Sequence, residues 1–199
     1  MRSEIDFWFS IGSTYTYLTV MRLGELVRRE GVDVRWRPFS VRALMIEQNN
    51  IPFRDKPIKA AYMWRDIERR AQARGFPVTL PVPYPLTEWD NVNRLAVLAA
   101  TEGWCEQYAA EAYRRWFQCG EEPGREPQVS ATLRAIGQNP ERALAAAASV
   151  EVTIAYNRAT DEARSLSLFG SPSFIVEGEI FWGDDRLEDA ISWAKRGRV

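Results

Sequence analysis

Short apolar runs near the two ends of the chain predict its strands. Residues 5–9 (Ile-Asp-Phe-Trp-Phe) and residues 32–39 (Val-Asp-Val-Arg-Trp-Arg-Pro-Phe) carry the aromatic and alternating patterns typical of strands. Between them, apolar positions recur at helical spacing from Tyr15, and Gly31 ends the pattern. A strand, a helix and a strand within about 35 residues predict a βαβ unit with parallel strands and a right-handed crossover.

A hairpin is predicted near the other end. Residues 173–176 and 180–182 are apolar and flank Glu177-Gly178-Glu179, which is typical of a tight turn. Pro172 directly precedes the first of these strands, where a missing ladder donor is tolerated or where a cis peptide bond occurs. Residues 183–186 predict the start of a helix that covers residues 187–195.

Only helical patterns occur between the two strand regions. Helices are predicted at residues 42–47, 58–74, 89–101, 106–118, 130–136 and 140–148, and a last one at residues 150–168 leads back to the hairpin. The sequence therefore predicts a discontinuous α/β domain made of residues 1–40 and 150–199, with residues 41–149 forming an inserted helical domain. The order of its strands and helices is that of a thioredoxin-like fold with a large all-helical insertion.

Composition limits the classes of function. The net charge of −1 and a pI near 5.7 argue against a nucleic-acid footprint. The first residues contain no apolar signal region, and no run approaches the ~20 apolar residues of a membrane span. We therefore expect a cytoplasmic protein that has no contact with membranes.

The chain contains no histidine, which excludes Ser-His and Cys-His dyads and histidine metal sites. Its two cysteines, Cys105 and Cys119, form neither a Cys-x-x-Cys redox pair nor a metal cluster. We expect both to be buried free thiols, and we expect no metal site.

Ser13 lies between the first strand and the first helix. A helix N-terminus presents unpaired amides and about half a positive charge, and it favours the charged form of a thiol. A hydroxyl at this position can donate one hydrogen bond to a sulfur anion. The alternative is that Ser13 or Thr14 is an ordinary N-cap of the helix.

Three motifs together resemble a known family. Phe7-Trp8-Phe9 followed by residues 13–18 (Ser-Thr-Tyr-Thr-Tyr-Leu) resembles the Ser-Pro-Tyr-Ser-Tyr-Leu start of 2-hydroxychromene-2-carboxylate isomerases and kappa-class glutathione transferases. Residues 169–174 (Phe-Gly-Ser-Pro-Ser-Phe) are similar to their Phe-Gly-x-Pro segment, which has a cis proline. Residues 181–187 (Phe-Trp-Gly-Asp-Asp-Arg-Leu) are similar to their Trp-Gly-x-Asp-Arg-Leu. The insertion, with Asn50 and Lys59-x-x-Tyr62, fits as well, so the resemblance covers nearly the whole chain.

The resemblance implies a glutathione site and a homodimer. In this family a serine occupies the place of the first cysteine of DsbA-like oxidoreductases, and glutathione supplies the sulfur. Ser13 would then activate the glutathione thiol, and Ser171 and Pro172 would pair with its cysteinyl backbone. Trp182, Asp184 and Asp185 would hold its γ-glutamyl end, although capping of the last helix is the other interpretation of the two aspartates.

The chain departs from the family pattern at several positions, and the change at residues 85–90 concerns the substrate more than the glutathione site. Thr14 replaces the proline after the serine, Thr16 replaces the second serine, and Ser10 replaces an aspartate. Residues 85–90 (Pro-Leu-Thr-Glu-Trp-Asp) stand where the isomerases have basic residues.

Asn50, Arg54, Lys59 and Tyr84 are the predicted substrate residues. Positive charge at Arg54, Lys56 and Lys59 would receive a carboxylate, or would simply form a solvated face. Tyr62, Tyr84 and, less readily, Trp64 would form an aromatic wall.

The leading hypothesis is a glutathione-dependent isomerase of the 2-hydroxychromene-2-carboxylate type, which acts on a carboxylic acid of aromatic degradation through reversible thiolate addition. The alternatives are a kappa-type glutathione transferase or peroxidase, and a redox-inactive DsbA-like module that binds peptides. The side chains of Ser13 and Thr16 are not thiols, which argues against a dithiol oxidoreductase.

Overall fold

The computed structural model describes residues 4–53 and 55–199, and within them a four-stranded mixed sheet has the order β2-β1-β3-β4. Strand β1 (Ile5–Phe9) pairs in parallel with β2 (Val34–Pro38), which confirms parallel strands in the predicted βαβ unit. Strand β3 (Ser173–Val176) runs antiparallel to β1, and Phe7 lies opposite Phe174.

The hairpin between β3 and β4 (Glu179–Trp182) turns on two residues. Glu177 and Gly178 both have positive φ angles, 52° and 87°, as the favoured two-residue hairpin turn requires. Glu179, predicted to belong to the turn, lies instead in the strand opposite Val176.

Helix α1 spans Thr16–Glu30 and ends at Gly31, as predicted. The helices that follow are α2 (Val41–Glu47), α3 (Pro57–Ala73), α4 (Trp89–Glu102), α5 (Cys105–Cys119), α6 (Gln128–Ala135), α7 (Pro140–Ala147) and α8 (Val150–Ser165). A short 3₁₀ turn, Asp184–Arg186, leads into α9 (Leu187–Arg196). Helix α8 ends three residues before its predicted end, because Ser167 adopts a positive φ of 60° that does not continue a right-handed helix.

One apolar core extends from the sheet into the helical segment. Phe7 and Phe174 stack at 5.4 Å within it, and Tyr17 of α1 stacks on Phe117 of α5 at 4.3 Å. Each large side chain buried in this way contributes about 1.5–3 kcal/mol. The helical segment therefore packs directly on the elements that carry Ser13, and its assignment as a separate domain stays a prediction.

The two cysteines lie in different environments. Cys105 is a buried free thiol, and its Sγ donates to the carbonyl of Ala96 at 3.6 Å. The prediction for Cys119 was wrong, because this residue ends α5 and its side chain is exposed.

Among residues 4–53 and 55–199, no helix is long and apolar enough to cross a membrane. The same part of the chain contains no cluster of three or more histidine, cysteine or acidic side chains that is suited to a metal ion.

Candidate active site at the tip of the first helix

A cavity of about 510 Å³ opens between the tip of α1, the segment from α2 to α3, and the chain that enters β3. Seven of the predicted residues line it: Ser13, Asn50, Lys59, Tyr62, Tyr84, Ser171 and Trp182. They are spread from position 13 to position 182 of the sequence, so the fold assembles most of the predicted site in one place.

The side chain of Ser13 lies directly against the predicted proline edge. Its Oγ donates a hydrogen bond to the carbonyl oxygen of Ser171 at 2.5 Å. The peptide bond between Ser171 and Pro172 is cis, as the resemblance implied. Ser13 and the backbone edge before Pro172 therefore face the same small volume.

No side chain caps helix α1. Tyr15 occupies the N-cap position without a side-chain hydrogen bond to the helix, and the first turn contains no acidic residue. The Thr14 hydroxyl donates to the Sδ of Met63 at 3.0 Å, and the Ser13 hydroxyl is bound to Ser171. The capping interpretation of Ser13 and Thr14 is therefore wrong, and the partial positive charge of the helix tip faces the cavity.

Ser171 is bound to the serine turn through its side chain as well. Its Oγ accepts a hydrogen bond from the amide of Ser10 at 3.0 Å and lies 3.0 Å from the Oγ1 of Thr16. These bonds are buried, so they hold the proline edge and the helix tip together without competition from water. Thr16 therefore takes part in this network through its side chain, whereas Ser10 takes part only through its backbone amide.

Aromatic side chains form the walls of the cavity. Phe169 and Trp182 meet edge-on at 4.8 Å, and Phe53 and Tyr84 are 6.3 Å apart. Trp64 packs behind Tyr84, with ring centroids 5.7 Å apart, and does not line the cavity.

Sequence reasoning missed Phe53, Trp89 and Phe169 as wall residues. For Trp89 the available signal is Gly12, because a Cβ at that glycine would lie 2.5 Å from the indole ring. For Phe169 the available signal is the neighbouring Gly170. A Cβ at Gly170 would lie 2.1 Å from the Nε1 of Trp182, the residue against which Phe169 packs. Both glycines allow an indole to approach the backbone of the site closely.

Lys59 is the one charged residue among the described residues that line the cavity. Its Nζ lies 5.8 Å from the ring centroid of Phe53.

Burial raises the pKa of the Tyr84 hydroxyl, and the nearby positive charge of Arg42 partly opposes this rise. None of the described lining residues is a carboxylate or an imidazole, so the lining provides hydroxyls, amides and one cation.

Asp184 lies outside the cavity, contrary to expectation. Its side chain is fully buried, and its carboxylate is 3.1 Å from Arg22, 2.7 Å from Arg70 and 2.9 Å from Arg74. Burial lowers the pKa of the Arg74 guanidinium, and the attraction of Asp184 opposes that effect. The carboxylate is thus already neutralised by arginines of α1 and α3.

The remaining predicted residues are less closely tied to the cavity. Asp185 is exposed, and its Oδ2 lies 3.2 Å from Nη2 of Arg186. Pro172 adjoins the cavity through its cis bond but does not line it, and Lys56 sits at the start of α3 outside the lining. Arg54 lies outside the described residues.

Comparisons with known sequences cover almost the whole chain. The DsbA-like thioredoxin domain matches residues 4–191. The 2-hydroxychromene-2-carboxylate isomerase of Sphingobium xenophagum is 27% identical over 190 residues, which are 94% of this chain and 96% of that protein. Glutathione S-transferase kappa 1 of Caenorhabditis elegans is 25% identical over 197 residues, which cover 92% of this chain and 87% of the transferase.

Solved structures agree with the sequence comparison. A 2-hydroxychromene-2-carboxylate isomerase superposes with a TM-score of 0.86 at 25% identity, covering 97% of this chain and 95% of the isomerase. The cytosolic disulfide reductase DsbM from Pseudomonas aeruginosa with GSH superposes with a TM-score of 0.64 at 16% identity over 96% of each chain, a likeness of fold alone. The chain belongs to the family of DsbA-like thioredoxin domains, and the relatives it resembles within that family are named as isomerases and kappa-class transferases.

Proposed function

We propose that this protein is a glutathione-dependent isomerase of the 2-hydroxychromene-2-carboxylate type, which acts on a carboxylic acid from aromatic degradation. The observation that carries the proposal is the 2.5 Å contact between Ser13 Oγ and the Ser171 carbonyl at the uncapped tip of α1. This arrangement places a hydroxyl, a positive helix end and the backbone edge before Pro172 around one small volume.

The residues present fit glutathione at most positions. When bound, glutathione supplies the reactive sulfur that position 13 lacks. The chain's own thiols do not serve there, because Cys105 and Cys119 are both absent from the cavity lining. Ser13 would donate to the sulfur, the Ser171 edge would pair with the cysteinyl backbone, and Trp182 would contact the γ-glutamyl end. Asp185 remains the proposed partner of the ammonium group, since Asp184 is ion-paired elsewhere.

The energy required for thiol activation is within reach of these groups. A thiol that is ionised at neutral pH needs its pKa lowered by about 2 units, equivalent to about 2.7 kcal/mol. A hydrogen bond to a charged acceptor contributes about 1.5–3 kcal/mol, and a helix N-terminus contributes about 0.3–1 kcal/mol. The combined contribution of Ser13 and the tip of α1 therefore spans the required value of about 2.7 kcal/mol.

The rest of the cavity suits an aromatic acid. The aromatic walls offer stacking surfaces to a ring, while Lys59 and Asn50 offer donors to a carboxylate. Reversible addition and elimination across a double bond requires no side-chain carboxylate or imidazole, which agrees with the residues of the lining.

A kappa-type glutathione transferase is the second candidate. The kappa-class relative from Caenorhabditis elegans supports it, and the same site would serve. In that case the aromatic cavity would accept electrophiles instead of one isomerisable acid. Residues 85–90 stand where the isomerases have basic residues. The lack of basic residues at these positions also favours the transferase.

Two assays, each run with and without glutathione, test the proposal. One follows isomerisation of 2-hydroxychromene-2-carboxylate, and the other follows conjugation of chlorodinitrobenzene. We expect glutathione-dependent isomerisation that falls about 100-fold in Ser13→Ala, which corresponds to about 2.7 kcal/mol of lost stabilisation. Ser173→Ala is the matched control, because its hydroxyl donates only to the nearby Gly170 carbonyl, at 3.0 Å.

Three results would redirect the proposal. Full glutathione-dependent turnover by Ser13→Ala would remove Ser13 from the mechanism. Conjugation without isomerisation would favour the transferase. If calorimetry detects no binding of glutathione at millimolar concentration, a peptide-binding module becomes the better description.

A further inference from the structure

The hydroxyl of Ser13 has its single proton engaged with the protein itself. At 2.5 Å from the Ser171 carbonyl oxygen, it donates to the backbone edge that an extended ligand would have to pair with. A hydroxyl has one proton to donate, so this Ser13 cannot also donate to a sulfur. In this arrangement the Ser13 hydroxyl is therefore not available for the role that the proposed function gives to it.

The edge itself is fixed independently of Ser13. The Oγ of Ser171 accepts from the Ser10 amide at 3.0 Å and lies 3.0 Å from the Thr16 hydroxyl, and both contacts are buried. Breaking the bond between Ser13 and the carbonyl thus leaves Ser171 in place. Ser13 is only half-buried, and rotation about its χ1 angle moves the hydroxyl without moving the backbone.

We propose that a thiol peptide activates this site by a donor exchange, in which the amide N–H of its thiol-bearing residue takes over the Ser171 carbonyl and releases the Ser13 hydroxyl to donate to the sulfur. This inference rests on the proposed function and names the ligand feature that the site requires. The required feature is a backbone N–H next to the thiol, which glutathione has and simple alkyl thiols lack.

The direction of the exchange follows from hydrogen-bond strength. A hydrogen bond to an ionised acceptor is roughly twice as strong as one between neutral groups. Redirecting the Ser13 hydrogen bond from the carbonyl to a thiolate is therefore favourable, provided that the partly buried carbonyl gains a replacement donor. Without that donor, the exchange leaves the carbonyl unsatisfied and Ser13 stays where it is.

A pair of ligands that differ in one backbone group tests the donor exchange directly. The first is glutathione, and the second is its ester analogue, in which oxygen replaces the cysteinyl N–H. The ionisation of each bound thiol is followed by the ultraviolet absorbance of the thiolate as a function of pH. We expect bound glutathione to ionise about 2 pH units below the free thiol and the ester to lose about 1 unit of that shift. An analogue with its ester at the glycine amide is the matched control and keeps the full shift.

The affinity of Ser13→Ala gives a second, independent measurement. This variant has no hydroxyl to displace from the Ser171 carbonyl. Below the pH at which the thiol ionises, calorimetry is expected to show that Ser13→Ala binds glutathione up to about fivefold more tightly than the wild type. Above that pH the order reverses, since the thiolate has lost its donor. Ser173→Ala is expected to match the wild type at both pH values.

The outcomes separate the two proposals. Equal ionisation of glutathione and the cysteinyl ester, or weaker binding by Ser13→Ala at acid pH, overturns the donor exchange while leaving a glutathione-dependent enzyme intact. If the wild-type protein binds no glutathione, both proposals fail. Far-ultraviolet circular dichroism establishes that each variant is folded before its ligand data are used.

Discussion

The hydroxyl of Tyr113 lies 3.0 Å from the carbonyl oxygen of Ser13 and donates a hydrogen bond into the turn that carries the site. It also lies 3.1 Å from the carbonyl of Ser10. Tyr113 belongs to α5 and is fully buried, so the helical segment supports the serine turn from behind.

Tyr113→Phe is expected to reduce both stability and activity. Removing the hydroxyl leaves two buried carbonyls without this donor, which costs about 1–3 kcal/mol of the free energy of unfolding. The turn then loses a fixed point, so activation of a bound thiol weakens as well. Urea unfolding measures the first effect, and glutathione-dependent turnover measures the second.

Tyr108→Phe is the matched control for this experiment. Tyr108 lies on the same helix, is equally buried, and its hydroxyl donates to the Val92 carbonyl at 3.2 Å, away from the turn. We expect a similar loss of stability with turnover unchanged. Equal losses of turnover in both variants would contradict a specific link between Tyr113 and Ser13.

Lys59→Met is expected to raise the KM for a carboxylate substrate about tenfold or more, with a smaller change in kcat. Lys59 provides the positive charge among the described lining residues, and a hydrogen bond to a charged group contributes about 1.5–3 kcal/mol. Lys56→Met, three residues away and outside the lining, serves as control. A larger effect at Lys56 than at Lys59 would show that the carboxylate binds elsewhere.

Asp184→Asn is expected to lower the free energy of unfolding by about 3–5 kcal/mol. The substitution leaves the guanidiniums of Arg22, Arg70 and Arg74 close together without the buried charge that pairs with them. Chemical denaturation measures this loss. Asp185→Asn removes only an exposed pair with Arg186, which contributes about 0–1 kcal/mol. Similar stabilities of the two variants would mean that the arginine cluster does not depend on Asp184.

The two thiols are expected to react differently with iodoacetamide. Burial raises the pKa of the Cys105 thiol above its usual value near 8.5, so this thiol stays protonated and unreactive as the pH rises past that value. Cys119 is exposed and reacts. Mass spectrometry should find one modification in the native protein at about pH 9 and two after unfolding. Cys119→Ser should abolish native labelling, and persistent labelling in that variant would show that Cys105 is accessible.

Hydrophobic spacing predicted nearly every helix and strand to within about three residues. The reason is that periodicity of 2.0 or 3.6 residues and turn chemistry are local properties, as at Gly31 or in the turn at Gly178. The family resemblance carried by the motifs around Ser13, Ser171 and Trp182 implied one shared ligand site, and all three residues line the same cavity. The absence of histidine already excluded Ser-His and Cys-His dyads.

The pairing of side chains could not be predicted in this way. Asp184 stands in a motif that suggests ligand binding, yet its partner Arg70 lies 114 positions away along the chain. Phe53 lies in the loop before α3 and Trp89 is the first residue of α4, and only the packing of these remote segments brings both to the cavity. Cys119 is exposed because of which face of α5 packs inward.

The amino-acid sequence by itself determined the order of the elements, the family and the lack of a protein thiol at the site, because these depend on residues close together in the chain. Only the tertiary structure decided where the Ser13 proton is donated and which carboxylate is already neutralised. Both depend on distances between atoms of remote segments, and hydrogen bonds and ion pairs form only where folding brings those atoms within about 3 Å.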